Sequence, residues 1–446
     1  MKLWEKNNSK TAIAVDTFTV GRDREMDGYF AAFDVLGSLA HVQMLVSIHL
    51  LTREEGSALI KELRSIFQNC QEKDFQVPEQ VEDIHSYVEM LLTERLGPVG
   101  KKIHSARSRN DQVLLDIKLF MRNEIEQIVK ATTSLFDLLQ KQSEHFRNHL
   151  LPGYTHLQLA MPSSFGLWLG AYAESLVDDV ITLEAAFRVV NKNPLGSAAG
   201  YGSSFPINRT LTTELLGFDA LNFNVVYAQM GRGKAERITA AALANLADTI
   251  ARISIDACLF LNQQFDFISF PEELTTGSSI MPHKKNPDVF EMIRAHCNRL
   301  RALPNEITLI TTNLPSGYHR DYQLLKEHLF PAFQTLKNCL EMLQMMLKNM
   351  QVREHILEDD KYKYIFSVEE VNRLVLEGMP FRDAYQKIGN DIAVGSFQPS
   401  KTLFHTHEGS MGQLCNDKIR EQMQEILGRF PFVKIQQCLD NLAGTG

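Results

Sequence analysis

The sequence is poor in the features that mark secreted, metal-binding and membrane proteins. Its 446 residues include six cysteines, scattered without a close pair: Cys70, Cys258, Cys297, Cys339, Cys415 and Cys438. This spacing argues against a disulfide framework or a zinc cluster. The sequence shows no uninterrupted apolar stretch long enough to span a bilayer, and its first residues lack the apolar segment of a secretory signal. We therefore expect a cytoplasmic protein that does not contact a membrane.

Acidic residues outnumber basic ones, and the common cofactor motifs are absent. The chain has 46 Lys and Arg against 54 Asp and Glu, and this net charge of −8 disfavours binding to nucleic acid. It contains no HExxH pair, P-loop, GxGxxG turn or GxSxG elbow. These absences argue against a metalloprotease, a nucleotide-binding site and a serine hydrolase. We expect neither a metal nor a cofactor, and a small molecule as the partner.

Glycine and proline are absent from long stretches, which indicates long helices. Residues 101–151 contain neither, and apolar residues recur there at spacings of three and four, which predicts a helix from Asn110 to about His149. Further long helices are expected at 162–192, 234–270, 286–312 and 331–350, the third bent near Pro304. Five long helices joined by short loops form a bundle.

Shorter helical segments flank this centre. One of them opens with a capping box formed by Thr52 and Glu55, and strand-like alternation is scarce and brief. The sequence therefore predicts an all-α fold of three domains. These are a helical N-terminal domain at residues 1–108, a central long-helix bundle at 109–352 and a helical C-terminal domain at 353–446.

Residues 277–287, Gly-Ser-Ser-Ile-Met-Pro-His-Lys-Lys-Asn-Pro, form the most informative run of the chain. Asn286 is a good helix cap and Pro287 favours the first helical position, so we expect a helix to begin here. A helix start attracts anions through its free N–H groups and its dipole. An isolated Gly-Ser-Ser would be an ordinary capped surface loop, but hydroxyls, lysines and a cap in this order favour an anion site.

Three further polar loops flank the long helices, at residues 104–112, 153–158 and 318–326. Each alone is typical of a capped or connecting segment. Guanidiniums in the first can clamp a carboxylate, and the histidine in the second can act as acid or base near neutral pH. Together with the 277–287 run, the loops predict a dicarboxylate site. Its groups are the cations Arg109 and Lys284, the hydrogen-bonding groups Asn110, Thr155 and Asn286, and the proton-handling groups His156 and Ser278.

These loops resemble those of the argininosuccinate lyase family within the fumarase/aspartase superfamily. The matching runs are Ser-Arg-Asn-Asp-Gln at 108–112, Gly-Tyr-Thr-His-Leu-Gln at 153–158 and the 277–287 loop with its Lys-Lys-Asn ending. They follow the family's order, and the resemblance covers roughly residues 15–400. It implies a metal-free, mostly helical homotetramer with active sites shared between subunits. Such an enzyme cleaves argininosuccinate to arginine and fumarate by anti elimination.

The resemblance also implies roles for single residues. Ser278 would remove a proton beside a carboxylate, and His156 would support proton transfer to the departing guanidino nitrogen. The aci-carboxylate intermediate would be stabilised by Lys284 and Asn286, with Glu291 as a partner of His156 or the lysine. Substrate carboxylates would bind Ser108, Asn110 and Thr155, with Arg109 shaping the same substrate-binding site. The arginine-like half would bind Tyr318, Gln323 and Lys326, and Thr19 is the candidate for a substrate-binding serine of the family.

The sequence departs from the family pattern in three places. Residues 224–233 lack several of its polar residues, Leu324 and Leu325 replace an acidic pair, and the segment 18–21 is shorter. Other functions therefore stay open: adenylosuccinate lyase, fumarase, aspartase, or a catalytically silent relative such as a lens crystallin. Measuring fumarate release from each candidate substrate would separate these enzymes, and silence with every substrate would indicate the crystallin-like relative.

Overall fold

Long helices dominate the computed structural model, which describes residues 13–72 and 75–445. The N-terminal part contains α1 (Ile13–Val20), α2 (Asp23–Asp27), α3 (Ala31–Ser47), α4 (Arg53–Cys70), α5 (Ile84–Leu96) and α6 (Pro98–Lys101). The long central helices are α7 (Arg109–His145), α8 (Phe165–Val190), α11 (Lys234–Leu261), α12 (Asp288–Leu300), α13 (Leu303–Ile310) and α14 (Leu324–Lys348). Shorter central helices are α9 (Arg209–Leu215) and α10 (Val225–Met230). The C-terminal part contains α15 (Ser367–Leu376), α16 (Phe381–Ala393), α17 (Asn416–Leu427) and α18 (Phe432–Ala443). The all-α prediction is confirmed.

Strands are few in the described part of the chain. An antiparallel hairpin joins β1 (Leu150–Thr155) to β2 (Gln158–Ser164). The parallel pair β3 (Lys192–Asn193) and β4 (Ala220–Leu221) and the antiparallel pair β5 (Ile268–Ser269) and β6 (Gln351–Val352) are two residues long. Short 3-10 helices occur at Lys102–His104, Glu272–Leu274, Arg320–Gln323, Ile356–Glu358 and Asp360–Phe366.

Long helices that follow one another in the centre of the chain run in opposite directions. Ser143 near the end of α7 donates its hydroxyl to the carbonyl of Gly166 at the start of α8, at 2.7 Å. The ring of Phe165 then meets that of Phe260 near the end of α11, with centroids 6.5 Å apart. The start of α8 therefore lies beside the ends of both α7 and α11.

The last two helices continue this alternation. Arg301, just after α12, forms an ion pair of 3.2 Å with Asp248 in the middle of α11, so α12 and α13 return along α11. The rings of Phe120 and Phe330, both early in their helices α7 and α14, lie 4.3 Å apart. Hence α7, α11 and α14 start at one end of the bundle, and α8 and α12 start at the other.

The flanking helices pack directly onto this centre. α3 contacts α4 and α7, α17 contacts α8, and α18 contacts α3 and α9. One continuous apolar core links these helices. A separate small cluster between α15 and α16 contains Val371, Leu374, Ala384, Ile388 and Phe397. The division into three domains stays a prediction, since the last helix lies against the first part of the chain.

The hairpin shortens two helices relative to the sequence-based prediction. α7 ends at His145 rather than near His149, and α8 begins at Phe165, where the Ser164 hydroxyl accepts from Leu167 N–H at 3.1 Å. The helix expected over 234–270 ends at Leu261. Capping residues and β pairing override apolar periodicity at these ends.

Two helix starts also differ from the prediction. α12 begins at Asp288, because the N–H of Asn286 bonds to the carbonyl of Thr276 at 2.8 Å in a loop bridge and its side chain does not cap the helix. α14 begins at Leu324, so Pro331 lies inside the helix and leaves the carbonyl of Glu327 without its usual partner. The expected bend near Pro304 is present as the break between α12 and α13.

α11 is long and apolar enough to cross a membrane by length and composition. In its most apolar window 61% of the helix is buried, and its neighbours are α8, α12, α13 and α14. It is therefore the central core helix of the bundle.

The tight contact of α7 with α8 gives a stability prediction. A Cβ on Gly166 would lie 2.6 Å from the Arg147 Cα and from the Ser143 carbonyl oxygen, both backbone atoms. We expect Gly166→Ala to destabilise the protein by about 1–3 kcal/mol and to lower the midpoint of thermal unfolding. The control is Gly389→Ala in α16, where a Cβ meets nothing within 4 Å and helix propensity favours Ala by up to about 1 kcal/mol. Equal midpoints for the two variants would contradict this packing.

Candidate functional site

A cavity of about 260 Å³ lies where α7 and α14 begin, and we call it the charged cavity. Eight of its lining residues come from the N-terminal part and the start of α7, and five come from the segments around α14 and before α11. It brings together Arg109, Asn110, Tyr318, Gln323 and Lys326 from the sequence-based prediction, and adds Asp23, Asp27, Glu82, Asp83, His85, Arg232 and Arg320.

The start of α7 is fixed by a capping box. The Ser108 hydroxyl accepts from the N–H of Asn110 at 3.3 Å, and the Asp111 carboxylate accepts from the N–H of Ser108 at 2.8 Å. The second oxygen of Asp111 accepts from the N–H groups of Gly196 and Ala198, at 2.9 and 2.8 Å. The Gly/Ser-rich loop at residues 193–206 is thereby tied to the start of α7, which presents Asn110 to the cavity.

Each of two cations in the charged cavity faces two carboxylates. Lys326 Nζ lies 2.7 Å from Asp27 and also pairs with Asp23. Arg109 lies 3.2 Å from Glu82 and 3.1 Å from Asp83. Burial raises the pKa of Asp27 to about 6, against the opposing pull of the Lys326 ammonium. Lys326, expected to hold substrate directly, is instead buried and committed to carboxylates of its own chain.

The side chain of Gln323 contacts the backbone of Thr19. The Gln323 amide donates to the carbonyls of Thr19 and Val20, at 3.1 and 2.7 Å. The Thr19 hydroxyl donates to the carbonyl of Val15 within α1, at 2.8 Å. Thr19 is not among the residues that line the charged cavity, whereas Asp23 of the next helix is.

Arg232 is a cavity residue that the sequence did not reveal. It lies in the segment that departs from the family pattern and is buried. Its guanidinium pairs with Glu236 at 2.9 Å and donates to the carbonyl of Tyr322 at 3.0 Å. Because Tyr322 lies in the 3-10 helix next to Gln323, Arg232 fixes the backbone that carries the cavity residues Tyr318 and Gln323. No motif spacing marked it.

Behind the cavity, His85 joins Asp34 and Asp116 in a buried cluster. Ligand-type atoms of these three side chains lie within 4.8 Å of one another, so the group has the composition of a metal site. His85 Nδ1 lies 2.7 Å from Asp34. Burial alone would lower the pKa of His85, but Asp34 and Asp83 outweigh it and raise the pKa. The Nδ1 atom of His85 is thus engaged with the Asp34 carboxylate.

A second polar region lies along the 278–291 segment, and we call it the loop pocket. Ser278 lies at the start of this segment but does not line the pocket. Its volume is about 820 Å³, and it combines the end of α11 with Lys284, Asn286 and Glu291. The Asn286 side chain donates to the carbonyl of Gly277 at 3.2 Å, which closes the base of the loop. Lys284 forms no ion pair with any residue in the described ranges.

The oxygen of Ser278 accepts two backbone hydrogen bonds. The N–H groups of Ile280 and Met281 point to it, at 3.4 and 3.2 Å. Hydrogen bonds to an oxygen favour its anionic form. This arrangement supplies part of the stabilisation that a serine needs to act as a base. Ser278 is half-buried, between the exposed residues Gly277 and Ser279.

His156 lies at the tip of the β1–β2 hairpin. His156 and Leu157 have φ values of 53° and 59°, the left-handed conformation of a tight hairpin turn. Both residues and Thr155 are exposed, and none of them lines the charged cavity or the loop pocket. The hairpin stands at the loop-pocket end of the bundle, since Tyr154 stacks on Phe265 just after α11 with centroids 5.5 Å apart.

One chain holds the two polar regions far apart. Arg232, which precedes α11, lines the charged cavity, and Cys258 and Leu261 at the end of α11 line the loop pocket. A helix of 28 residues is about 40 Å long at about 1.5 Å per residue. The sequence-predicted residues therefore form three separate groups in one chain: the charged cavity, the loop pocket and the hairpin tip.

Comparison with known proteins finds relatives that are similar over nearly the whole chain. Residues 10–301 match the model of a protein family described as lyase. The chain is 61% identical to the argininosuccinate lyase of Bacteroides fragilis over 443 residues, which cover 99% of each protein. It is 36% identical to the argininosuccinate lyase of Stenotrophomonas maltophilia over 427 residues, which cover 95% of this chain and 99% of the relative.

Solved structures with lower identity share the fold. An EDDS lyase in complex with formate superposes with a TM-score of 0.76 at 18% identity, covering 98% of this chain and 95% of that one. A class II fumarase from Schistosoma mansoni gives a TM-score of 0.71 at 15% identity, covering 93% of this chain and 95% of that one. The helical bundle described above is thus shared with both structures.

Proposed function

The chain belongs to the lyase family and, within it, to the argininosuccinate lyases, and from this membership we propose how its residues carry out the reaction. The substrate is argininosuccinate, and the products are arginine and fumarate, a step of arginine biosynthesis. Elimination breaks the bond between the succinyl carbon and the guanidino nitrogen after a proton leaves the neighbouring carbon. The adenylosuccinate lyase, fumarase, aspartase and crystallin-like alternatives are not favoured, since relatives at 57–61% identity are argininosuccinate lyases.

Ser278 is the proposed base. The proton beside a carboxylate is weakly acidic, so its removal requires a strongly stabilised base and a stabilised product anion. The observation that carries the proposal is the pair of N–H groups from Ile280 and Met281 aimed at the Ser278 oxygen. Ser278 reacts as the alkoxide that these N–H groups stabilise. The proton passes to the alkoxide oxygen, which becomes a hydroxyl, and the electron pair of the C–H bond first forms the aci-carboxylate.

Lys284, Asn286 and His156 complete the proposed chemistry. The Lys284 ammonium, without an ion pair in the described chain, and the Asn286 amide stabilise the two negative charges of the aci-carboxylate. As the C–N bond breaks, the guanidino nitrogen takes the bonding electrons, and His156 supports its protonation. Glu291, which lines the same pocket as Lys284, is its proposed partner or that of His156.

Substrate binding is divided among the remaining groups. Ser108, Asn110 and Thr155 are proposed to bind the succinyl carboxylates, and Arg109 shapes the cavity through its bonds to Glu82, Asp83 and Ser86. Tyr318 and Gln323 are proposed to contact the arginine half, with Lys326 acting through the carboxylates that it pairs with and Thr19 through its backbone carbonyl.

We propose a homotetramer in the cytoplasm whose active sites are shared between chains. The charged cavity and the loop pocket stand at opposite ends of α11, so a substrate the size of argininosuccinate cannot contact both in one chain. The exposed hairpin tip with His156 is available to enter a site on another subunit. Closed symmetric assembly repeats such contacts and builds equivalent sites from several chains.

The role of Ser278 is tested by substitution. We expect Ser278→Ala to lower kcat for argininosuccinate about 10²-fold or more, because it removes the proton acceptor, while KM changes little. Fumarate release followed by ultraviolet absorbance gives both constants. The matched control is Ser279→Ala, one residue along the same loop, which should keep near-normal turnover. Normal kcat in Ser278→Ala, or loss of turnover in Ser279→Ala instead, would refute the assignment.

Two adjacent lysines give a second test of the loop. Lys284→Met is expected to lower kcat/KM by about 10²-fold or more, because a fixed cation no longer faces the developing charge. Lys284→Arg should restore this only in part, since a planar guanidinium is not a point charge. Lys285, exposed and 3.9 Å from Glu272, is the control, and Lys285→Met should behave like the unchanged protein. A larger loss in Lys285→Met would show that the roles of the two lysines are reversed.

A further inference from the structure

Another serine, in the loop between α16 and α17, has the hydrogen-bond partners of a nucleophile. The Ser410 hydroxyl lies 2.7 Å from Nδ1 of His405, and Nε2 of the same ring lies 3.2 Å from the Glu369 carboxylate in α15. None of the three residues lines the charged cavity or the loop pocket. A serine, a histidine and a carboxylate linked in this order can activate a hydroxyl for attack on a carbonyl carbon. The surrounding run, Glu-Gly-Ser-Met-Gly at 408–412, lacks the first glycine of the GxSxG pattern, so the sequence did not mark this serine.

The Glu369 carboxylate fixes the direction of these hydrogen bonds. An ionised carboxylate only accepts, so Nε2 of a neutral His405 ring carries the hydrogen that faces Glu369. Nδ1 then has a free lone pair and accepts from the Ser410 hydroxyl, which is the arrangement that a general base requires. The side chains of His405 and Glu369 are only 19% and 15% exposed. The ring is therefore held between its two partners with little competition from water.

A tight turn holds Ser410 and leaves two N–H groups beside it. The N–H of Gln413 donates to the carbonyl of Ser410 at 2.9 Å, so Met411 and Gly412 are the central residues of the turn. A Cβ on Gly412 would clash with the carbonyl oxygen of His405, so only glycine lets the turn pack this closely. Within the described part of the chain, the N–H groups of Met411 and Gly412 donate to no backbone carbonyl. Free N–H groups directly after a nucleophilic serine can stabilise the oxyanion that forms on attack.

A cavity of about 470 Å³ adjoins this turn, and its lining includes His405, Met411 and Lys401. Ser410 is 8% exposed and lies next to the lining residue Met411, so an acyl group in the cavity has a short path to its oxygen. The Lys401 ammonium donates to the backbone carbonyl of Leu357 at 3.1 Å and therefore keeps its positive charge. This charge favours an acyl group that carries a carboxylate.

We propose that Ser410 and His405 form a second catalytic site, which hydrolyses carboxylic esters whose acyl group carries a carboxylate. The Ser410 oxygen bonds to the ester carbonyl carbon, and its proton passes to Nδ1 of His405. The C–O bond of the ester then breaks, the departing alcohol takes this proton, and the acyl group stays on the serine. Water gives a proton to His405 and attacks the acyl group. His405 returns the proton to the Ser410 oxygen as the acid leaves. Glu369 is a positioning residue, which acts through the His405 ring.

A fluorophosphonate probe tests this site in the intact protein, because it bonds to serine oxygens that are activated as nucleophiles. Mass spectrometry of peptides should find the adduct on Ser410, and it should persist in Ser278→Ala, which removes the proposed base of the other site. Ser410→Ala should abolish this adduct, and His405→Gln should slow labelling about 10²-fold. The control is Ser396→Ala, which removes an exposed hydroxyl that donates to the carbonyl of Asp391 and should not change labelling.

Two matched esters give a second readout, the mono-4-nitrophenyl ester of terephthalic acid and 4-nitrophenyl benzoate, which differ by one carboxylate. The unchanged protein should hydrolyse the terephthalate ester faster, and Lys401→Met should remove this preference. Ser410→Ala should lower both rates to those of the Ser410-independent background. Glu369→Ala should slow labelling of Ser410 about tenfold or more, and Glu369→Asp should restore it in part, since a carboxylate again faces the ring.

The outcomes separate catalysis from a role in folding the loop. If the unchanged protein carries no adduct on Ser410, or an adduct on Ser278 alone, the inference is overturned. Equal labelling of the unchanged protein and His405→Gln would also overturn it. A lower midpoint of thermal unfolding in Ser410→Ala, without ester hydrolysis by the unchanged protein, would show that these contacts are purely structural. Cleavage of argininosuccinate does not enter these outcomes, because the three residues lie outside the regions proposed for that reaction.

Discussion

The length and direction of α11 set the constraint on which the rest of the structure depends. Arg232 just before this helix lines the charged cavity, and Leu261 at its end lines the loop pocket. A packed helix does not shorten, so side-chain motion cannot bring the two regions together across about 40 Å. Some reactions would need the cations and carboxylates at one end of α11 together with Ser278 and Lys284 at the other end. Such a reaction requires more than one copy of the chain.

The charged cavity shows how the fold holds polar groups ready for a substrate. Burying a charge costs several kcal/mol, which the opposite charge and hydrogen bonds offset only in good geometry. Here the second carboxylate around Lys326 and around Arg109 exceeds what either cation requires for neutrality. The hydrogen bonds of Asp27 to Ile84 and of Arg109 to Ser86 fix these groups. The cavity is thus organised before substrate arrives, which lowers the cost of binding.

Sequence reasoning predicted the features that depend on local pattern. Apolar periodicity predicted the long helices, and the predicted capping box at Thr52 is present. The hairpin was missed, because its pairing joins Leu150 to Ser164 across a turn in left-handed conformations that non-glycine residues rarely adopt. Helix ends at Asn286 and Pro331 were displaced because loop bonds and tertiary packing outweigh capping preference.

The sequence suggested candidate residues for the site, but it did not predict which of them lie together. The four loops were identified from polar residues beside helix starts, but which of them share a cavity depends on helix direction. Asp23, rather than Thr19, lines the charged cavity, and a lone aspartate in a short helix carries no motif. Arg232 acts through the backbone of Tyr322, a contact between residues far apart in sequence.

Subunit mixing measures the central claim, that each active site combines the charged cavity of one chain with the loop pocket of another. Asn110→Ala and Ser278→Ala would each inactivate one of these regions. The two variants are unfolded together in equal amounts and refolded, with each variant alone and the unchanged protein as controls. If the regions come from different chains, random assembly leaves about one quarter of the sites intact, and activity should return to about that fraction of the control. No recovered activity in a confirmed mixed assembly would contradict the account, because both residues would then belong to the same chain at every site.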